Sequence, residues 1–114
     1  MLTSGDVVGL DLGAPKGREA GFRHPAVVVT AQRILDAPPS VIHLVPLTSA
    51  MRGFGSEVPI EPDDRNGLGD VSVAQCQHIR AVSVERVDRV VGNVGPVVLS
   101  QIRETIGLIL DLPA

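Results

Sequence analysis

Residues 25–30 read PAVVVT and residues 41–47 read VIHLVPL, and these two apolar runs decide the fold. Each is short, rich in β-branched side chains and bounded by proline or polar turn residues, the pattern of a strand buried on both faces. Pro25 fixes the entry of the first run, since a residue without an N–H fits only where no ladder donor is required. Eighteen valines and seven isoleucines among 114 residues extend the same preference along the chain. Residues 6–12 (DVVGLDL) place Val8, Leu10 and Leu12 at period two and predict a first strand. Residues 57–60 predict a short strand, 68–84 one or two more, and 87–94 another, broken by Gly92. Residues 31–40, with Pro38 and Pro39, form a connection carrying one helical turn over 31–35. The Asn66-Gly67 pair is the strongest hairpin signal in the chain. After Gly95-Pro96, the apolar positions Val98, Ile102, Ile106, Ile109 and Leu110 recur at three- and four-residue spacings. They predict an amphipathic helix with Pro96 in its first turn. The expected architecture is mainly β with a C-terminal helix: one domain over 1–114, a small, strongly curved sheet or barrel closed by that helix.

Composition narrows the function. Apolar residues make up 44% and charged residues 20%, a globular rather than disordered balance. Cys76 is the lone cysteine, so an internal disulfide is impossible and a reducing cytoplasm fits best. The opening MLTSGDVVGLDLG has no basic n-region, unlike a signal peptide, and no apolar window is long enough to predict a spanning helix. Net charge is -3, which argues against broad nonspecific nucleic-acid binding, but its distribution is uneven. Lys16, Arg18 and Arg23 outweigh Glu19 in a long polar loop over 13–24, where phosphates would be met. Residues 57–70 set Glu57, Glu61, Asp63, Asp64 and Asp70 against Arg65 alone.

Phosphate-loop, dinucleotide, nucleophile-elbow and zinc-protease signatures are all absent. His24, His43 and His78 lie far apart and, with one cysteine, give no metal-ligand spacing, so neither metal nor cofactor is expected. Cys76 sits in an apolar strand-like context that predicts an inert thiol. His43 lies inside an apolar strand and reads as a core or sheet-surface residue. The remaining cluster is Arg23 and His24 at the end of the basic loop, Thr48 and Ser49 ending a central strand, and His78 and Arg80, expected on one face of a later strand. Such groups gathered at one rim suit RNA cleavage by the neighbouring 2′-hydroxyl. That reaction needs a proton acceptor, neutralisation of the phosphorane and a proton for the departing oxygen. Each residue also has a plainer reading: a structural histidine, a solvated arginine, a strand threonine, a turn serine.

The runs GREAGFRHPAVVVT at 17–30, VPLTS at 45–49 and VAQCQHIRAVSVERVDRVVGNVG at 73–95 resemble the MazF/PemK/Kid family of toxin endoribonucleases. The resemblance extends from GDVVGLDL to the final helix. It implies an SH3-like β-barrel of the CcdB/PemK type and a cytoplasmic homodimer without a membrane segment. It further implies metal-independent, sequence-specific cleavage of single-stranded RNA, whether messenger, ribosomal or transfer, and inhibition by a cognate MazE-like antitoxin.

By that resemblance the family's catalytic threonine matches Thr48, with Ser49 following it. The family's catalytic arginine directly precedes the proline opening the second strand, and this chain has His24 there, with Arg23 one place earlier. Arg18 replaces the serine usual between Gly17 and Glu19. The stretch Gln77 to Arg80 matches the family's glutamine, isoleucine and basic residues, with His78 where glutamine is frequent. Three readings follow. His24 transfers the proton while Arg23 or Arg80 supplies charge; or Arg23 is displaced inward and His24 is structural; or the chain is a weakened nuclease that binds RNA or an antitoxin peptide. Lys16, Arg18, Ser49, Gln77, His78 and Arg80 are the expected RNA-binding residues. Phe54, flanked by Gly53 and Gly55 in AMRGFGSE, is the expected base platform. A fold-related toxin that poisons DNA gyrase is the remaining alternative.

Overall fold

The computed structural model describes residues 1–11 and 23–113. Among them, β1 (Asp6–Asp11), β2 (Arg23–Val28), β3 (Val41–Thr48), β4 (Glu57–Ile60), β5 (Ser72–Gln75), β6 (Arg80–Ser83) and β7 (Val87–Asn93) are joined by α1 (Gln32–Leu35) and followed by α2 (Gly95–Ile109). The sheet order is β4-β5-β3-β2-β1-β7, with β6 also on β3. The organising strand is β3. One edge pairs β2 through Ala26↔Pro46, Val27↔Val45 and Val28↔Leu44. Its other edge is shared: Val41 to Leu44 pair with β6, while Leu47 and Thr48 pair with β5.

Apolar runs are needed here because both faces of the sheet are covered. Successive side chains in a strand point to opposite faces. Val7, Val27, Val45 and Leu47 accordingly join Leu99, Ile102 and Ile106 of α2 in one core. Val8, Leu10, Ala26, Val28, Ile42 and Leu44 join Val82 and Leu35 of α1 in another. Each fully buried Val, Leu or Ile contributes about 1.5–3 kcal/mol of transfer free energy. The two layers therefore fix the register of β1, β2 and β3.

Three expectations need correction. First, the mainly-β fold with its C-terminal helix is present, but the sheet is not closed into a barrel: β4 and β7 stand at its two ends. The strands on the outer edges of β3 and β1, β6 and β7, are consecutive parts of one run joined by a 3-10 turn at Val84–Arg86. At the other end, β7 meets the turn after β4 rather than a strand. The Asn93 N–H donates to the Arg65 carbonyl at 2.9 Å. Gly92 permits that approach, since a Cβ there would lie 2.4 Å from the Arg65 oxygen.

Second, Asn66-Gly67 does not make a two-residue hairpin. β4 and β5 pair from Ile60↔Ser72 onward, and residues 61–71 form the loop between them. Asn66 is 1% exposed. Its Oδ1 accepts from the N–H groups of Asp63 and Leu68, and its Nδ2 donates to the Glu61 carbonyl at 2.8 Å. Third, α2 buries Leu99, Ile102 and Ile106, whereas Ile109 and Leu110 are exposed. The helix is held at its start by Asn93, whose Oδ1 accepts from the Gly95 N–H at 2.8 Å while Nδ2 donates to Asp6 and to the Ser4 carbonyl.

Candidate active site at the end of the central strand

Thr48 is the last residue of β3 and is half-buried. Its Oγ1 accepts from the Ala50 N–H at 3.1 Å. That local bond turns the chain away from the sheet and leaves the hydroxyl proton available for donation. Ser49 follows in the turn and is exposed.

The register between β2 and β3 runs toward this point from the basic loop's end. Ladder pairing stops at Ala26↔Pro46, because Pro25 and Pro46 lack N–H groups. Carried two places further, the same register sets His24 opposite Thr48. Both are even-numbered positions of their strands, on the face that also carries Ala26, Val28 and Leu44. His24 is exposed and pairs on its other side with Leu10. Arg23 opens β2 opposite Asp11. Lys16 and Arg18 lie outside the described residues.

A third element approaches from β4. Val73 pairs with both Thr48 and Pro59, and Gln75 pairs with Glu57, so Thr48, Val73, Pro59, Gln75 and Glu57 occupy one face. Glu57 organises the loop between β3 and β4. Its Oε1 accepts from the N–H groups of Arg52 at 3.1 Å and Phe54 at 3.2 Å, and its own N–H donates to the Phe54 carbonyl at 3.1 Å. The tip beyond this clasp is open: Met51 and Phe54 are each 56% exposed. Glu57 Oε2 is buried without a hydrogen-bond partner among the described residues. No sequence motif singled out Glu57, which reads there only as the first carboxylate of the acidic stretch 57–70.

The later candidates sit elsewhere. Gln77 and His78 belong to a 3-10 turn, Cys76–His78, so His78 does not share a strand face with Arg80. The cause is local: β5 must leave β3 before β6 can take over the same edge. His78 is exposed, and the Gln77 Oε1 is buried without a hydrogen-bond partner among the described residues. Arg80 begins β6 opposite Leu44, four residues along β3 from Thr48 and roughly 13 Å away along the strand. It is exposed. Continued past its last pair, the β2–β3 register thus runs His24 toward Thr48 and Ser49, Phe54 lies in the loop that follows, and Arg80 pairs β3 farther up, with His78 in the turn before it.

His43 lies on β3 with its residue surface exposed. Cys76 is buried, and burial pushes its thiol up to about 11, so it stays protonated at neutral pH. Among the described residues no group of three or more His, Cys, Asp and Glu side chains is arranged to hold a metal ion. Nor is any helix among them long and apolar enough to cross a membrane.

A family model described as the PemK-like, MazF-like toxin of type II toxin-antitoxin systems matches residues 3–110. The chain belongs to this toxin family. It is 32% identical over 116 residues to a protein called endoribonuclease MazF9 from Mycobacterium tuberculosis, with 98% of each chain covered. The fold is shared with the M. tuberculosis toxin MazF-mt6, at TM-score 0.75 and 21% identity over 96% of this chain and 99% of that one. It is shared equally with a MazE-MazF structure from Deinococcus radiodurans, at TM-score 0.77 and 23% identity over 96% of both chains. A mycobacterial endoribonuclease in complex with its cognate antitoxin matches at TM-score 0.76 and 19% identity, over 100% of this chain and 99% of that one. Membership bears out the toxin assignment made from the sequence and supports an endoribonuclease role over the gyrase-poisoning alternative.

Proposed function

We propose that this toxin cleaves single-stranded RNA at the end of β3 by attack of a 2′-oxygen on the adjacent phosphorus. The observation that supports the reading is the β2–β3 register, paired from Val28↔Leu44 to Ala26↔Pro46, which continued two places further would set His24 opposite Thr48. Neutral His24 accepts the 2′-hydroxyl proton. The 2′-oxygen forms a bond to phosphorus, and the bond to the 5′-oxygen breaks with return of a proton from the imidazolium. Thr48 donates its hydroxyl to a non-bridging oxygen as negative charge builds there. Arg23 supplies positive charge that an imidazole cannot, and Ser49 orients the phosphate. Lys16, Arg18, Gln77, His78 and Arg80 hold flanking nucleotides, and Phe54 stacks a base. The products are a 2′,3′-cyclic phosphate and a 5′-hydroxyl.

The toxin acts in the cytoplasm as a homodimer restrained by a MazE-like antitoxin that occupies the RNA groove. Solved relatives that include MazE-MazF assemblies support the partner class. The exposed Leu108, Leu110 and Leu112 beyond the buried part of α2 support a self-association surface. The test is purified, antitoxin-free toxin incubated with a mixed RNA pool in chelator, with both fragment ends sequenced and chemically typed. Fragments with the stated ends are expected. Intact RNA from well-folded protein would instead favour a binding module without catalysis, and a requirement for divalent ions would overturn the route.

A further inference from the structure

Glu57 carries two oxygens with different fates. Oε1 takes the N–H groups of Arg52 and Phe54, whereas Oε2 is buried with no donor among the described residues. Buried polar atoms are nearly always paired, and an unpaired carboxylate oxygen is a costly thing for a fold to keep. Loop closure does not require it, because one oxygen already clasps both loop amides. The pairing scheme puts Glu57 on the face that holds Thr48, two strands away and two residues along, roughly 12 Å. That is the place of a neighbouring nucleotide rather than of the scissile phosphate. Phe54, whose amide Glu57 holds, presents an exposed ring beside it.

We propose that Glu57 is a specificity-determining residue: Oε2 accepts a hydrogen bond from the exocyclic amino group of an adenine or cytosine stacked on Phe54. The inference rests on the endoribonuclease reading and adds the chemistry of one recognised base. A carboxylate is an acceptor only, so at the edge where adenine and cytosine present an amino group it favours them and repels the carbonyl oxygen that guanine and uracil present at the same place. Gly53 and Gly55, on either side of Phe54, have no neighbouring atom near a would-be Cβ. The loop tip is thus unpacked on both sides of the ring, and base binding requires it to shift and uncover Oε2.

Glu57→Gln is the informative substitution. Its amide oxygen can keep the two loop N–H bonds while its NH₂ replaces the orphan acceptor by a donor. Wild type and Glu57→Gln are compared on a randomised RNA pool, with base preference read separately in the cleaved fraction and in RNA retained on immobilised toxin. Preference for an amino-bearing base at one position near the cut should fall about tenfold in the variant, with uracil gaining there. In parallel, removing the amino group from that base, as with purine riboside in place of adenosine, should weaken wild-type cleavage and binding about tenfold. The same deletion should change the variant little. Identical preference profiles in wild type and variant, even at a uniformly lower rate, would overturn the proposal. So would indifference of wild type to amino-group deletion, a readout that stands even if the variant fails to fold. If wild type cuts nothing, the nuclease reading fails, and the retained fraction still decides Glu57.

Discussion

Two loops flank β4, and they are built in opposite ways. Residues 61–71 close around Asn66, which is 1% exposed and makes three side-chain hydrogen bonds to the backbone of its own loop. Asp63 adds two more through Oδ1, to the N–H groups of Arg65 and Asn66. The loop is then pressed against β7, where a Cβ on Gly67 would lie 2.3 Å from the Val91 carbonyl oxygen. Residues 49–56 have the Thr48 turn at one end and the Glu57 clasp at the other, with Met51 and Phe54 left in solvent. The first loop seals an open sheet edge. The second is anchored at its base and open at its tip, as a loop that must meet a ligand requires.

The sharpest way to break this contrast uses two glycines with similar backbones. Gly67 has φ +70 and Gly53 has φ +75, but only Gly67 has atoms crowding its would-be Cβ. Gly67→Ala should cost about 3–5 kcal/mol, strain plus a clash with Val91. Gly53→Ala should cost only the strain, about 1–2 kcal/mol. Equal denaturation midpoints for the two variants would dissolve the distinction. Next in size, Asn66→Ala should lose about 2–4 kcal/mol by stranding buried backbone groups, without altering RNA affinity per folded molecule. Phe54→Ala should do the reverse, changing stability by less than about 0.5 kcal/mol and weakening RNA binding by about 1–3 kcal/mol. Titration of short RNAs against both variants checks the pair.

A smaller effect concerns the wall between β5 and α2. The Cys76 thiol is raised from 9.0 to about 11 when folded, because burial disfavours the thiolate. Unfolding frees it to ionise. Stability is therefore retained below pH 9 and declines as pH rises from 9 through 11, with the unfolded state releasing the proton first. Cys76→Ala should lack this component of the alkaline slope. Identical slopes in denaturant melts would show that the thiol is not linked to folding.

The strands with two buried faces were legible in the sequence because their valines and isoleucines run consecutively. β3, the short β4 and α2 begin and end close to where period and proline placed them. Closure was not legible, since it depends on whether non-neighbouring edges meet, and local pattern is silent about that. Asn66-Gly67 misled for a physical reason: the asparagine turned inward to satisfy backbone groups instead of serving a tight hairpin. Likewise, the 3-10 turn at Cys76–His78 reads as strand in the sequence because it follows the alternating residues 71–75, yet the chain must change neighbours there. In the candidate site, Thr48 and His24 could be named from the sequence, and their alignment is proposed from the β2–β3 register continued past Ala26↔Pro46. Glu57 was visible only as one of the acidic residues of 57–70, because its part depends on a loop folding back onto it.

The most direct test of the account is a double-substitution cycle on RNA cleavage with His24→Ala, Thr48→Ala and the combined variant, each verified as folded. If the two side chains act on one phosphate, either single change removes most cleavage and the combined variant is scarcely worse than the more damaged single one. Normal cleavage by folded Thr48→Ala, or losses that simply add, would contradict a shared site.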